Sequence, residues 1–195
     1  MRKSEAGAEA ATPPPTLKIL IAGGFGVGKT TLIGAISEIK PLRTEERLTA
    51  AGVGVDDLTG TPDKSATTVA MDFGRITLDA AELLLFGTPG QERFWFMWED
   101  LTKGAVGAVV LVDTRRLERS FAAVDFFDKH GLPYVIAANC FDGQQDYTKE
   151  QIASALDIDP AIPVLMVDAR THEDVRNVLL AFLDRLINRS QPAHA

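Results

Sequence analysis

Cysteine and histidine are scarce in this 195-residue sequence, and basic residues are outnumbered by acidic ones. Its single cysteine, Cys140, excludes an internal disulfide and fits a reducing, intracellular setting. The three histidines show no metal-ligand spacing. A formal net charge of −7 at pH 7 argues against a nucleic-acid binder with a broad basic face and against direct attraction to anionic lipid. We therefore expect no nucleic-acid partner.

Long hydrophobic runs are missing as well. No apolar stretch approaches the roughly 20 residues that cross a bilayer. The charged segment from Met1 to Ala6 leads into no apolar segment, so no signal peptide is indicated. Arg2 and the final residues Gln191 to Ala195 give no lipidation signal. The expected location is the cytoplasm, with peripheral membrane residence only through partners.

Strands and helices are predicted to alternate along most of the chain. One domain is expected over residues 17–189, between a disordered N-terminal extension (1–16) rich in Ala, Glu and Pro and a flexible tail (190–195). Apolar runs predict strands at Leu17–Ala22, Val69–Leu78, Glu82–Phe86, Ala105–Val112, Tyr134–Ala138 and Pro163–Val167. Apolar spacing predicts helices at Thr31–Ile39, Leu117–Val124 and Val175–Leu186. Thr148 with Gln151, and Thr171 with Asp174, resemble capping boxes at the starts of the last two helices.

A polar, Gly-rich stretch from Leu42 to Thr67 separates the first two strands. It is predicted as a long functional loop with a short helix over Arg43–Ala51. The short link Asp79–Ala81 predicts an antiparallel hairpin. Together the elements predict a mostly parallel sheet with helices on both faces, and a ligand at the carboxyl ends of its strands.

The strongest motif follows the first predicted strand. It fits G-x-x-x-x-G-K-[ST] and consists of Gly23, Gly24, Phe25, Gly26, Val27, Gly28, Lys29 and Thr30, followed by Thr31 in the predicted helix. Glycines let successive backbone N–H groups face phosphate oxygens, and the helix N-terminus adds its positive dipole end. Lys29 would reach the β- and γ-phosphates and Thr30 would ligate Mg²⁺. A plain glycine-rich turn would not explain the Lys-Thr pair.

Three further segments lie at the ends of predicted strands. They are Gly87-Thr88-Pro89-Gly90-Gln91, Asn139-Cys140-Phe141-Asp142 and Asp168-Ala169-Arg170. Each alone could be an ordinary polar turn, but their order after a phosphate loop is informative. With them the chain resembles the Ras-like small GTPases from about Leu17 to Asn188, and within these a bacterial branch with a Thr-Pro-Gly-Gln switch. More narrowly, it is similar to the actinobacterial conservon GTPases, which are encoded beside a roadblock/LC7 protein and a sensor resembling a histidine kinase.

The resemblance implies an α/β, P-loop NTPase fold of the three-layer Ras type, with a six-stranded, mostly parallel sheet and one antiparallel hairpin strand. It also implies GTP or GDP as ligand. Asp142 would accept hydrogens from the guanine ring N–H and amine and so reject adenine. Asn139 would steady this loop, and the backbone N–H of Ala169 would meet guanine O6. Cys140, Asp168 and Arg170 complete the nucleotide contacts.

Catalytic roles are implied in the same way. Gln91 would orient the attacking water, Gly90 would contact the γ-phosphate through its N–H, and Lys29 would stabilise the transferring phosphoryl group. Thr68 would join Thr30 as a Mg²⁺ ligand, although a shift to its neighbour Thr67 stays open. Turnover would be slow unless an arginine assists; Arg43, Arg47 and Arg93 are equal candidates on sequence alone.

Two positions depart from the family pattern. Gly87 stands where most small GTPases have an aspartate that holds Mg²⁺ through water, and Asp72 and Asp113 are the unranked candidates to replace it. Cys140 replaces a lysine whose stem covers the base, so nucleotide binding should be weaker by about 1–2 kcal/mol.

The run Phe94-Trp95-Phe96-Met97-Trp98 directly follows the second switch. Aromatic residues and Met are enriched in interface cores, so a nucleotide-dependent partner surface is predicted, with packing on the next helix as the alternative. The sequence thus predicts a slow GTPase switch in bacterial signalling, and the resemblance implies roadblock/LC7 and sensor-kinase-like partners. The main alternative is a guanine-nucleotide-binding adaptor with little hydrolysis; a P-loop metabolite kinase is disfavoured because no lid or acceptor site is evident.

Overall fold

The computed structural model describes residues 13–48, 67–143 and 145–190. The strands are β1 (Thr16–Ala22), β2 (Leu42–Leu48), β3 (Thr67–Thr77), β4 (Glu82–Gly87), β5 (Ala105–Val112), β6 (Tyr134–Asn139) and β7 (Val164–Val167). The α-helices are α1 (Lys29–Ile36), α2 (Trp98–Thr102), α3 (Phe121–His130), α4 (Lys149–Ala155) and α5 (His172–Ser190). Short 3₁₀ helices cover Glu92–Met97, Thr114–Ser120 and Phe141–Gly143. In this part of the chain no helix is long and apolar enough to cross a membrane.

The sheet has the strand order β2-β3-β4-β1-β5-β6-β7. Strand β3 runs antiparallel to both of its neighbours, and all other neighbouring pairs are parallel. The predicted mostly parallel sheet with one antiparallel strand is therefore confirmed. The link Asp79–Ala81 closes the predicted hairpin, with the Leu78 N–H donating to the Ala81 carbonyl at 2.9 Å.

The prediction of a loop from Leu42 with a short helix over Arg43–Ala51 was wrong for the described part of that segment. Residues 42–48 form β2, a seventh strand that pairs with β3 from Leu42↔Phe73 to Leu48↔Thr67. The local sequence is rich in Arg and Glu, which favours a helix, but pairing with a distant strand outweighs local propensity. Charged residues also suit a strand at the edge of a sheet, because they discourage further pairing.

Other observed element boundaries differ from the predicted ones by a few residues. Helix α1 ends at Ile36 rather than Ile39, because Ser37 takes an extended backbone and its hydroxyl accepts the N–H of Arg75 on β3 at 3.1 Å. The helix predicted over Leu117–Val124 is divided into a 3₁₀ segment and α3 at Phe121. At α4 the predicted capping box of Thr148 and Gln151 is present in full.

Two apolar layers cover the sheet because successive strand side chains point to opposite faces. On β1, Ile19 and Ile21 pack in the layer beneath α1 and α5, whereas Leu20 packs in the layer beneath α3 and α4. Strands β5 and β6 are apolar on both faces and almost wholly buried, as parallel strands between two helical layers require. This arrangement brings the carboxyl ends of β1, β5, β6 and β7 to one edge.

Candidate functional site

The loop between β1 and α1 curls tightly, as its glycines predict. Gly23, Gly26 and Gly28 have φ values of +135°, +76° and +106°, which residues with a Cβ rarely adopt. A Cβ on Gly23 would lie 2.2 Å from the Leu111 carbonyl oxygen, so the loop also packs closely on the end of β5. The loop therefore presents backbone, rather than side chains, to a ligand at the start of α1.

Lys29 closes over this loop. Its Nζ donates to the carbonyl oxygens of Gly23 and Gly24, both at 2.8 Å. Burial lowers the pKa of Lys29 to about 8, partly opposed by the negative charge of Asp72. A Cβ on Gly90 would lie 2.6 Å from this Nζ, so the backbone after β4 rests directly on the lysine. The structure thus brings together the predicted residues Lys29 and Gly90.

A cavity of about 370 Å³ lies at this point. It is lined by Phe25, Gly26, Gly28, Lys29, Thr30, Thr31, Asp72, Thr88, Pro89 and Gly90. The Thr30 hydroxyl donates to the Asp72 carboxylate. The Thr88 hydroxyl is buried, and within the described part of the chain it has no hydrogen-bond partner. Cationic, hydroxyl and carboxylate groups therefore converge where the sequence predicts phosphates and a metal ion.

A second cavity of about 180 Å³ lies beside the loops that follow β6 and β7. It is lined by Gly26, Gly28, Thr31, Asn139, Cys140, Phe141, Asp168, Ala169 and Arg170. Asn139 organises it, because its amide donates to the Val27 carbonyl at 3.0 Å and accepts the Ala169 N–H at 3.1 Å. The buried Asn139 side chain thus connects the end of β6 to the loops that follow β1 and β7.

Asp142 does not line this second cavity itself but follows Phe141, which does, and lies near the lining residue Arg170. Its backbone is left-handed at φ 56°, and its side chain is 87% exposed, with the Arg170 Nη1 at 4.0 Å. Arg170 pairs more closely with Asp168, at 2.7 Å, and its hydrogen bonds lower the pKa of Asp168 to about 2. The Asp142 carboxylate is therefore free to face solvent or a ligand edge.

Cys140 and Ala169 line the cavity in less open positions. Cys140 is buried, and burial raises the pKa of its thiol, so it is a neutral lining group rather than a nucleophile. The Ala169 N–H is engaged by Asn139, so the predicted contact with guanine O6 would have to share or displace that hydrogen bond.

Several predicted residues cannot be placed. The side chains of Thr67, Thr68, Arg43, Arg47 and Arg93 lie outside the described part of the structure, although the backbones of Thr67 and Thr68 belong to β3. Gln91 follows Gly90 and is the N-cap of the 3₁₀ helix Glu92–Met97, where its carbonyl accepts the Phe94 N–H at 3.0 Å. The assignments of a switch threonine, an arginine finger and the water-orienting glutamine stay predictions.

Sequence reasoning missed three arginines that follow β5. Arg116 and Arg119 line a small cleft with Gly24 and Phe25 of the phosphate loop. The Arg115 guanidinium lies 3.8 Å above the centre of the Phe141 ring. The available signal was their position after a buried parallel strand, since ligands bind at the carboxyl ends of such strands.

Some residues of the aromatic run Phe94–Trp98 pack in the protein interior, and one is exposed. Trp98 is 2% exposed; its Nε1 donates to the Pro89 carbonyl at 3.2 Å, and its ring meets that of Phe126 edge-on at 5.2 Å. Phe94 is also buried, whereas Phe96 is 65% exposed. Packing therefore explains Trp98 and Phe94, and Phe96 remains available to a partner.

Solved structures with a similar fold are G domains. The G domain of the T. maritima FeoB iron transporter superposes with a TM-score of 0.62 at 19% identity, covering 87% of this chain and 98% of that one. The GDP form of the cytosolic domain of the same transporter gives a TM-score of 0.65 at 18% identity, covering 90% of this chain and 65% of that one. The fold is thus that of the G domains.

The sequence relatives include a Ras-related protein. The human Ras-related protein Rab-7b is 26% identical over 185 residues, which cover 90% of this chain and 84% of Rab-7b. The uncharacterized protein MJ1339 of Methanocaldococcus jannaschii is 30% identical over 128 residues, which cover 65% of this chain and 71% of that protein. Residues 21–189 match a protein family, and the chain therefore belongs to the family described as conserved hypothetical ATP binding protein.

Proposed function

We propose that this protein binds guanine nucleotide with Mg²⁺ and hydrolyses GTP slowly, as a switch. The observation that carries the proposal is the shared wall of the two cavities: Gly26, Gly28 and Thr31 line both. One cavity offers Lys29 and Thr30, and the other is lined by Phe141 and Arg170, which adjoin Asp142 in sequence and in space. A nucleoside polyphosphate fits this layout, with its phosphates at α1 and its base beside β6.

Asp142 favours guanine over adenine even though the family description names ATP. An ionised carboxylate only accepts hydrogen bonds. Guanine offers two adjacent N–H donors, at N1 and the exocyclic amine, whereas adenine presents an acceptor at N1. An exposed carboxylate with a left-handed backbone, next to the cavity-lining Phe141, can meet the two donors as a charge-assisted pair.

The groups in the larger cavity fit a metal ion held jointly with phosphates. No cluster of three or more His, Cys, Asp or Glu side chains in the described part of the chain could hold an ion by itself. The Thr30 hydroxyl and the Asp72 carboxylate both offer oxygen atoms, and oxygen is the ligand atom that Mg²⁺ prefers. When bound, Mg²⁺ would neutralise charge on the β- and γ-phosphate oxygens.

Gly90 supports two states of the second switch. Its backbone lies on Lys29 and Gly24, where a γ-phosphate would need the ammonium group. GTP binding would therefore move Gly90, and hydrolysis would let it return. Gln91, the next residue, would orient water in the GTP state. Without an arginine finger we expect a rate of roughly 10⁻⁴ to 10⁻³ per second.

The output of the switch would be partner binding. The exposed Phe96 is the candidate contact, and it lies in the 3₁₀ helix that follows Gly90 and Gln91 and would move with them. The roadblock/LC7 and sensor-kinase-like partners, the conservon subtype, the cytoplasmic location and the bacterial signalling role rest on the sequence resemblance.

The test is to identify the nucleotide released from the purified protein, and then to measure GDP, GTP and ATP affinities with and without Mg²⁺. Guanine nucleotide on the protein, with GDP and GTP bound at least about tenfold more tightly than ATP, is expected. Equal binding of ATP and GTP would overturn the guanine assignment and support the family description instead.

A second candidate is an adaptor that binds guanine nucleotide without useful turnover. Gly87 favours it, because this position carries no carboxylate for Mg²⁺. Multiple-turnover GTP hydrolysis, measured on the wild type and on Gln91→Leu, separates the two functions. Turnover that the substitution abolishes would exclude the adaptor, whereas equal background rates for both proteins would support it.

A further inference from the structure

We propose that Asp72 on β3 supplies the carboxylate that Gly87 lacks and holds the Mg²⁺ of the bound nucleotide through water, with the Thr88 hydroxyl as a second partner of that water. The inference rests on the proposed function. It assigns a positioning role, since Asp72 would act on the metal ion and its waters rather than on the phosphates.

The contact between Asp72 and Thr30 places the carboxylate at the metal position. The Thr30 hydroxyl is the predicted protein ligand of Mg²⁺, and in this structure it donates to Asp72 Oδ2. Both side chains line the larger cavity together with Lys29. A metal ion bound to the Thr30 oxygen would therefore have the Asp72 carboxylate next to it, within reach of a bridging water.

The sheet register explains how Asp72 can replace a side chain at position 87. Strands β3 and β4 are antiparallel, and Phe73 pairs with Phe86, so Asp72 lies across from Gly87. A Cβ built on Gly87 would be 3.3 Å from the Asp72 Cβ and 3.5 Å from the Asp72 backbone nitrogen. The Cβ atoms of side chains at these two positions would thus be in close contact, and the missing Cβ at Gly87 leaves room for Asp72.

Thr88 gives a second, independent indication. Its side chain lines the same cavity and is only 3% exposed, yet within the described residues its hydroxyl has no hydrogen-bond partner. A buried hydroxyl without a partner costs about 1–3 kcal/mol, so such groups usually meet water or a ligand. A metal-bound water between Thr88 and Asp72 would satisfy it.

Asp113, the other candidate from the sequence, is engaged elsewhere. Its carboxylate accepts the Arg115 backbone N–H at 3.0 Å and two guanidinium hydrogens of Arg115, from Nε and Nη2, both at 2.9 Å. It caps the 3₁₀ helix after β5 and lines the small cleft beside Gly24. Its two oxygens therefore already have partners, and Asp113→Asn is a matched control.

The experiment measures release of a fluorescent GDP from the full-length protein in excess Mg²⁺ and in excess EDTA. Removing a partner that orients a metal site costs about 10- to 100-fold in metal affinity. Asp72→Asn should therefore need about 10- to 100-fold more Mg²⁺ to slow release, whereas Asp113→Asn should titrate like the wild type. Thermal unfolding in EDTA checks that each variant is folded.

A carboxylate swap tests the position directly. Gly87 has no left-handed φ, so an aspartate can enter there once the Asp72 Cβ is removed and the end of the Ile33 side chain, 3.3 Å from the new Cβ, shifts by a few tenths of an ångström. The double variant Asp72→Gly, Gly87→Asp should regain the Mg²⁺ dependence that Asp72→Asn loses. Wild-type release insensitive to Mg²⁺, or an Asp72→Asn titration like the wild type, would overturn the inference while leaving GDP binding intact. No GDP binding in either buffer would overturn the proposed function and this inference with it.

Discussion

Replacing Asp142 with Asn tests the guanine assignment most directly. Asn keeps the size of the side chain and tolerates the left-handed backbone at φ 56°, so the fold should not change. The substitution removes the charge and turns one acceptor into a donor that faces the guanine amine. With the side chain 87% exposed, we take the lower values for charge-assisted hydrogen bonds and expect a loss of about 2–3 kcal/mol. This corresponds to GDP affinity on the order of 100-fold weaker.

The same chemistry predicts a gain for a different base. Xanthine has a carbonyl in place of the exocyclic amine of guanine, so the side-chain amide of the Asp142→Asn variant could pair with both its N1–H and its carbonyl. Competition of GDP, xanthosine diphosphate (XDP) and ADP against a fluorescent nucleotide measures the change. The matched control is Asp146→Asn, because Asp146 is an exposed carboxylate four residues further along the chain. GDP affinity within about threefold of the wild type, with no gain for XDP, would refute the assignment of Asp142 to the base.

Three other predictions concern the phosphates, the chemistry and the aromatic run. The pKa of Lys29 in the free protein is about 8, and bound phosphate would keep Lys29 charged. GDP affinity should therefore be constant below pH 8 and fall by up to about tenfold per pH unit above it. A GDP affinity that does not change from about pH 7 to 9 would contradict this. Gln91→Leu should slow single-turnover GTP hydrolysis by about 10²-fold with GDP affinity unchanged, and equal rates would remove Gln91 from the mechanism. In urea unfolding, Trp98→Ala should cost about 3–5 kcal/mol and the control Phe96→Ser less than about 0.5 kcal/mol; similar losses would mean that Phe96 also packs in the core.

The elements best predicted from sequence are those whose environment is uniform along their length. The strand predicted at Ala105–Val112 has those bounds in the structure, because an apolar run between two helical layers needs no other information. The curl of the phosphate loop was equally predictable, since its glycine conformations and the Lys29 hydrogen bonds to Gly23 and Gly24 arise within eight consecutive residues.

What the sequence could not supply depends on pairing between distant segments. Strand β2 has a helical composition and becomes a strand only by pairing with β3. The choice between Asp72 and Asp113 is of the same kind. It follows from the register that sets Asp72 opposite Gly87, and from the local Arg115 contact that occupies Asp113. Neither fact is visible before the sheet is assembled.

The two departures from the family pattern have unequal consequences for the proposed ligand. Gly87 can be compensated, because Asp72 on the neighbouring strand reaches the same point. Cys140 is not compensated in the same way: Arg170 pairs with Asp168 and Arg115 stacks on Phe141, so both guanidinium groups near position 140 are already engaged by other residues. Weaker cover at the base leaves a larger share of the binding free energy to Lys29, Mg²⁺ and the phosphates. We therefore expect metal removal, rather than rearrangement around the base, to control how long the protein retains GDP.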